Sequence, residues 1–296
     1  MPARRKVVVS LLTARQEFQR QQEEDARAAA SRSGLEVQVV YAENDPATQI
    51  RQLEAFIREP LDSRPSAFVV ETVAAVGFEK VARSALSARI GWVVISARAP
   101  YLDILRRDFP GALVTSATTD DLEIGRIQAR HFLALLPSGG KVLYVEGPSM
   151  SAATIFRRRM AEQELKGSRV SIAQVVSGDW TAGGAEWAVS SWLGLDESHE
   201  TRFDLVGAQN DEMALGARAA LSAQRPDWSG PVTGCDGLVN GGQRYVREGQ
   251  LAATVVKPTT AGPGVELVAK SLRGEPVPPQ LILPPRSFPP LENLKQ

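Results

Sequence analysis

Ala208-Gln209-Asn210-Asp211-Glu212-Met213-Ala214-Leu215-Gly216-Ala217, followed shortly by Gly234-Cys235-Asp236-Gly237, is the part of the sequence that decides the fold. Each segment follows an apolar, strand-like run, and the first opens a helix-like run. An amide and two carboxylates therefore fall at the carboxyl ends of two neighbouring strands. In open α/β sheets that edge is where small polar ligands are held.

Working outward, the same alternation fills the chain. Val142–Val145, Val170–Val176, Leu205–Ala208 and Val232–Gly234 read as strands. Thr154–Lys166, Thr181–Leu193 and Met213–Gln224 between them carry helical spacing. Nearer the start, Val7–Leu12, Val37–Tyr41, Ala67–Val70 and Trp92–Ile95 are strands. Phe18–Ser33, a helix opening at Glu43-Asn44-Asp45-Pro46 and running to about Arg58, and Val76–Ala88 lie between them. Gly34 sits where a helix end favours a left-handed residue. The two passes keep the same order, with Lys6 and Lys141 135 positions apart, a period too long for a solenoid. Alternating βα units favour parallel sheets covered on both faces.

The expected fold class is α/β: two similar doubly wound parallel-sheet domains, joined by a three-crossover hinge with a ligand cleft between them. Residues 1–118 with 258–283 form the expected N-terminal lobe, and 119–257 with 284–296 the C-terminal lobe. Ala252–Val256, Gly264–Leu272 and Leu281–Leu283 add a strand, a helix and a strand. Pro284-Pro285 and Pro289-Pro290 place the end of the chain on a surface tail.

Composition narrows the function. The 296 residues are 43% hydrophobic and 23% charged, with zero formal net charge. No basic stripe stands out, so nucleic acid is not an expected partner. A single cysteine, Cys235, excludes a disulfide within the chain. His131 and His199 lie far apart, and no protein-built metal site is expected. None of the phosphate-cradle, dinucleotide or nucleophile-elbow motifs occurs. No cofactor is expected and no enzymatic activity is assigned. Val7–Leu12 is too short for a signal-peptide core and lacks a cleavage site after it.

If the two edges face each other, one offers Gln16, Phe18, Glu71 and Arg98, and the other Arg157, Trp180, Asn210 and Asp236. Carboxylates, amides and guanidinium pair with adjacent hydroxyls, and aromatic faces cover the apolar side of a ring. That chemistry suits a sugar or polyol. Asn210 and Asp236 are expected to contact the ligand and, lying on loops, to matter little for folding. Asp211 is expected to be the helix N-cap. Arg158 and Arg159, beside Arg157, read as a solvated helix face. Trp187 and Trp192 read as packing residues and Cys235 as a small core residue. Asp120-Asp121 fall near the first crossover, where they can also cap the helix beginning near Leu122.

In Ala208–Ala217, Gly234–Gly237, Gly249-Gln250-Leu251-Ala252-Ala253-Thr254 and Leu272-Arg273-Gly274-Glu275, the chain resembles the type 1 periplasmic binding proteins, in particular the ribose-binding subgroup of sugar receptors. The resemblance implies that Asn210 and Asp236 bond ligand hydroxyls and that Arg98 and Arg157 clamp them. It implies that Phe18 and Trp180 stack on the ligand and that Gln16 and Glu71 supply polar contacts. Ala97 stands where the subgroup has an aspartate, Gln19 replaces a second stacking aromatic, and Lys257 replaces an amide. These departures point away from ribose itself, and Lys257 with Arg98 and Arg157 suits a ligand carrying negative charge. The implied role is a monomeric solute receptor, periplasmic or in the cell envelope, that delivers a monosaccharide or polyol to the permease of an ABC-type importer. With no signal peptide visible in the chain, a cytoplasmic location stays open. The alternative is the ligand-sensing part of a lac-repressor-like regulator or sensor-kinase system without its own DNA-binding part, since only about five residues precede the first strand.

Overall fold

The computed structural model describes residues 5–97, 99–195 and 201–294. The chain divides into two compact units. The first is Met1–Thr119 with Thr259–Leu283, and the second is Asp120–Pro258 with Pro284–Gln296. The chain therefore passes from one unit to the other three times.

In the first unit, β1 (Lys6–Leu11), β2 (Glu36–Tyr41), β3 (Ala67–Val70), β4 (Gly91–Ser96), β5 (Val114–Thr119) and β11 (Leu281–Leu283) form one sheet in the order β2-β1-β3-β4-β5-β11, parallel throughout. β3, β4 and β5 are buried at every position, as parallel strands covered on both faces must be. Alternate residues divide between two cores, following the two-residue period of a strand. Val7, Val9, Val69, Val93 and Ile95 pack against α1 (Glu17–Ser33) and α10 (Ala261–Leu272). Val8, Phe68, Val70, Trp92 and Val94 pack on the opposite face, with α2 (Pro46–Ile57), α3 (Glu79–Ser87) and α4 (Tyr101–Asp108). α1 ends at Gly34 (φ 67°), and the Leu35 amide closes back on the Ala30 carbonyl at 2.9 Å, a left-handed cap that glycine adopts without steric cost.

The second unit repeats the plan. β6 (Gly140–Glu146), β7 (Val170–Ser177), β8 (Leu205–Ala208), β9 (Val232–Asp236), β10 (Ala253–Val256) and β12 (Arg286–Phe288) lie in the order β7-β6-β8-β9-β10-β12. This is the first sheet's order position by position. α5 (Asp121–Leu135) and α6 (Ala152–Glu164) border one core with Val142, Tyr144 and Leu205. α7 (Ala182–Leu193) and α8 (Asp211–Gln224) border the other with Leu143, Val145 and Val206. The short α9 (Gly242–Arg247) precedes β10.

The expected pair of doubly wound α/β domains is present. One expectation fails at the end of the chain. Between the two proline pairs, Arg286–Phe288 is not a surface tail but an edge strand, antiparallel to β10, with Thr254 opposite Phe288. Prolines exclude a central strand but not an edge strand flanked by them. Trp187 is also misread: it is 73% exposed, while Trp192 is buried. Five residues turn a helix by about 140° beyond a full revolution, so these two cannot share a packing face.

Candidate functional site

In the first unit the carboxyl ends of β1, β3 and β4 are floored by buried amides from α1 and α2. Gln16, the N-cap residue of α1, and Gln19 and Gln22 within the helix recur every three residues and are buried. Gln19 Nε2 donates to Glu71 Oε2 at 3.0 Å, while its Oε1 accepts from the Leu12 amide at 3.1 Å. Gln49 Nε2 donates to the Ser10 hydroxyl (2.9 Å) and the Glu71 carbonyl (2.8 Å). Glu71, just past β3, is itself buried. Its Oε1 accepts no hydrogen bond among the described residues. Gln16 Nε2 is buried with no partner among the described residues. An orphaned amide of that kind costs about 1–3 kcal/mol unless something completes it. Phe18 is buried in the first turn of α1.

In the second unit Arg157 is the centre. Its guanidinium is 2% exposed. Nε donates to Asp121 Oδ1 at 2.9 Å, and Nη1 donates to the Gln209 carbonyl at 2.8 Å and lies 3.8 Å from the Cys235 sulfur. Burial works against its charge, but Cys235, which counts only where its thiol is ionised, and the carboxylates of Asp121 and Asp236 outweigh burial and hold its pKa above the usual arginine value. Burial pushes the Cys235 thiol up to about 12, so it stays protonated. The guanidinium carbon lies 5.8 Å from the centre of the Trp180 indole, within cation–π reach. Trp180 itself is buried, and the Asn210 side-chain amide donates to its carbonyl at 2.8 Å. Asp236 ends β9 with φ 106°, Trp180 has φ 71° and, in the first unit, Ser96 has φ 69°. Strained non-glycine backbone of this kind clusters at ligand clamps and active sites, although Glu43, Asn44 and Arg89 are left-handed as well.

A family profile described as the periplasmic binding protein domain matches residues 7–275. The chain belongs to the periplasmic binding protein family. It is 31% identical over 186 residues to the ribose import binding protein of Salmonella typhimurium, a match covering 61% of this chain and 60% of the relative. Among solved structures, an ABC transporter solute binding protein from Bacillus halodurans with bound myo-inositol superposes with a TM-score of 0.83. It covers 99% of this chain and 97% of its own, at 21% identity. A galactofuranose binding protein gives 0.84 over 98% and 97%, at 18% identity. These two likenesses establish the fold.

In this periplasmic binding protein, the nine residues singled out from the sequence fall as follows. Gln16, Phe18 and Glu71 gather at the strand ends of the first unit. Arg157, Trp180, Asn210, Asp236 and Lys257 gather at those of the second, where the buried Lys257 donates its backbone amide to the Asp236 carbonyl at 3.0 Å. Arg98 lies outside the described residues.

Roles shift for three acidic or amide side chains. Asn210, not Asp211, is the N-cap of α8: its Oδ1 accepts from the Met213 amide at 2.8 Å. Asp211 instead ties two strand ends together, accepting from the Gly237 amide (2.7 Å) and the Thr254 hydroxyl (2.6 Å). Asn210 thus serves folding as well as any ligand, contrary to its expected small part in stability. Of the Asp120-Asp121 pair, Asp120 caps α5, while Asp121 neutralises Arg157.

Sequence reasoning missed Gln22, Gln49, Asp121 and Gln209. Each is polar and deeply buried. Gln209 bridges the Gly147 amide (3.1 Å), Tyr144 hydroxyl (3.2 Å) and Thr154 carbonyl (3.1 Å). The available signal was position: Gln209 directly precedes Asn210, at the end of a strand.

Proposed function

We propose that this chain is a solute-binding receptor for a monosaccharide or closely related polyol, which it delivers to the permease of an ABC-type importer in the cell envelope. The observation that carries the reading is two buried polar groups at the strand ends of the first unit: the Gln16 amide, unpartnered among the described residues, and a carboxylate oxygen of Glu71 that accepts nothing from them. A hydroxyl both accepts and donates, so neighbouring hydroxyls satisfy both groups at once. The second unit supplies complementary chemistry: the Arg157 guanidinium, the Asp236 carboxylate and the remaining hydrogen-bonding capacity of Asn210. Trp180 stacks on the apolar face of the ring. Names of relatives agree with this reading, among them ribose import and xylitol-binding proteins.

A ligand that engages residues of both units binds a closed form better than an open one, and only that difference shifts the population. The three crossings are the hinge of that motion. The ligand leaves unchanged. A thermal-shift screen against sugars, polyols and sugar acids tests the reading. At least one should raise the melting temperature in a concentration-dependent way, reduce the radius of gyration in small-angle scattering, and be recovered intact. No hit across all three classes, or a chemically altered ligand, would refute it.

A further inference from the structure

Gln22 occupies a singular place. It is fully buried, about a turn and a half into α1 from the strand ends. Its Oε1 accepts from two backbone amides, Thr260 (2.7 Å) and Ala261 (2.8 Å). These open α10, whose own N-cap residue, Thr260, makes no side-chain cap bond. Two backbone donors fix the amide's orientation beyond dispute, because a carbonyl oxygen alone can accept from both. Nε2 must then point the other way. There it meets Ser96 Oγ (3.0 Å), Thr260 Oγ1 (3.3 Å) and Glu71 Oε2 (3.4 Å). Thr260 Oγ1 also accepts from the backbone amide of the left-handed Ser96 at 3.1 Å.

One side chain thus touches three things. It reaches the carboxylate assigned above to the ligand, the strained end of β4, and the point where the chain re-enters the first unit after its second crossing, between Pro258 and Thr259. Glu71 Oε2 takes amide hydrogens from both Gln19 and Gln22, which leaves Oε1 as its outward acceptor.

We infer that Gln22 is a positioning residue of the ligand site: it aims Glu71 at the ligand and ties that carboxylate to the crossing segment at Thr259–Ala261, making ligand contact and hinge one hydrogen-bonded unit. The inference rests on the proposed ligand role of Glu71.

The alternative is that Gln22 is a helix cap and nothing more. Gln22→Glu separates the two. A carboxylate oxygen still accepts from Thr260 and Ala261, and its charge suits a helix N-terminus. A pure cap would therefore leave the variant as stable as the parent, or more so. If Gln22 positions Glu71, the variant instead buries a second carboxylate against the first. The test compares the parent, Gln22→Glu, Glu71→Gln and the exchanged pair Gln22→Glu/Glu71→Gln by urea denaturation. Calorimetric titration uses D-ribose and myo-inositol as probes. The expected result is a clear drop in urea midpoint for Gln22→Glu, with affinity for a bound probe weakened about tenfold or more, and recovery of most of the midpoint loss in the exchanged pair. Misfolding of Gln22→Glu alone, with the exchanged pair folded, supports the inference equally. An unchanged or raised midpoint for Gln22→Glu, or an exchanged pair no better than the single variant, overturns it. If neither probe binds the parent, the reading of these polyols as ligands fails, while the urea comparison still decides whether Gln22 and Glu71 act together.

Discussion

Removing the carboxylate of Asp121 should destabilise the second unit far more than a surface substitution. The pair it forms with Arg157 spans 2.9 Å with both side chains 2% exposed. Asp121→Ala leaves the guanidinium with the Gln209 carbonyl, a weak sulfur contact and the more distant field of Asp236. Cys235 offers no compensating charge, since burial keeps it a thiol up to about pH 12. Stripping one partner from a buried ion pair costs about 3–5 kcal/mol. Asp121 Oδ2 is already buried and without a partner among the described residues, and its removal returns part of that cost. The expected loss is therefore at the low end, about 3 kcal/mol, or about 6–12 °C in melting temperature for a unit of about 150 residues. Tryptophan fluorescence during urea unfolding is the suitable assay, because four of the five tryptophans, Trp180, Trp187, Trp192 and Trp228, belong to the second unit. Adding Arg157→Met should recover much of the stability, because apolar packing replaces a buried pair at little net cost, although ligand affinity would stay lost. A loss below about 1 kcal/mol for Asp121→Ala, or a double variant no more stable than the single, would refute the argument.

Asn210→Ala and Asp236→Ala should each weaken binding of an identified ligand by about 1–3 kcal/mol. Asn210→Ala should in addition lower stability by about 1–2 kcal/mol, since it removes the cap of α8; parent-like affinity in both would remove them from the site. Gly147→Ala should unseat Trp180, because a Cβ there would stand 2.2 Å from the indole ring. Reduced affinity with a shifted Trp180 emission is the expected result, and unchanged binding would separate the indole from the ligand. His131 is buried, and burial lowers its pKa to about 3. Its folded pKa lies below the unfolded value near 6.5, so the unfolded chain takes up the proton first. Stability from this group is intact above about pH 6.5 and is lost as pH falls toward 3, at up to about 1.4 kcal/mol per pH unit. Urea titrations at several pH values should show His131→Gln with a shallower acid slope than the parent; an identical slope would contradict the assignment.

The fold was legible in the sequence because its strongest determinants are local. Runs such as Val7–Leu11 and Ala67–Val70 are apolar and β-branched and are buried on both faces, and the repeated order of elements fixes the doubly wound plan. β12 escaped because three residues between proline pairs carry no periodic signal. The site was legible where polar residues follow strands, as with Asn210 and Asp236. It was not legible where a polar side chain is held deep inside a helix face. Nothing in Gln22 or Asp121 as letters separates them from their neighbours Gln21 and Asp120, which are only half-buried. Only the fold shows that Gln22 meets Thr260, 238 residues away in sequence, and that Asp121 meets Arg157.

Some of the positions that local rules misjudge lie at the strand ends, while others, such as the left-handed Arg89 and the buried Gln52, His131 and Thr233 side chains, each with an atom unpartnered among the described residues, lie elsewhere. Ser96, Trp180 and Asp236 are left-handed without being glycine, and the unsatisfied Gln16 amide and Asp121 oxygen belong to the same two edges. Each feature costs folding free energy, about 1–3 kcal/mol for a strained residue or an orphaned polar atom. Scattered over a fold, such costs would need separate explanations. Those at the carboxyl ends of the two matching sheets share one under the proposed function: the backbone there is shaped for a ligand. The cores beneath, apolar and closely packed on both faces of each sheet, supply the stability that offsets those costs. Under the proposed function, a ligand that satisfies donors and acceptors left open at a sheet edge will raise the stability of the unit that carries that edge.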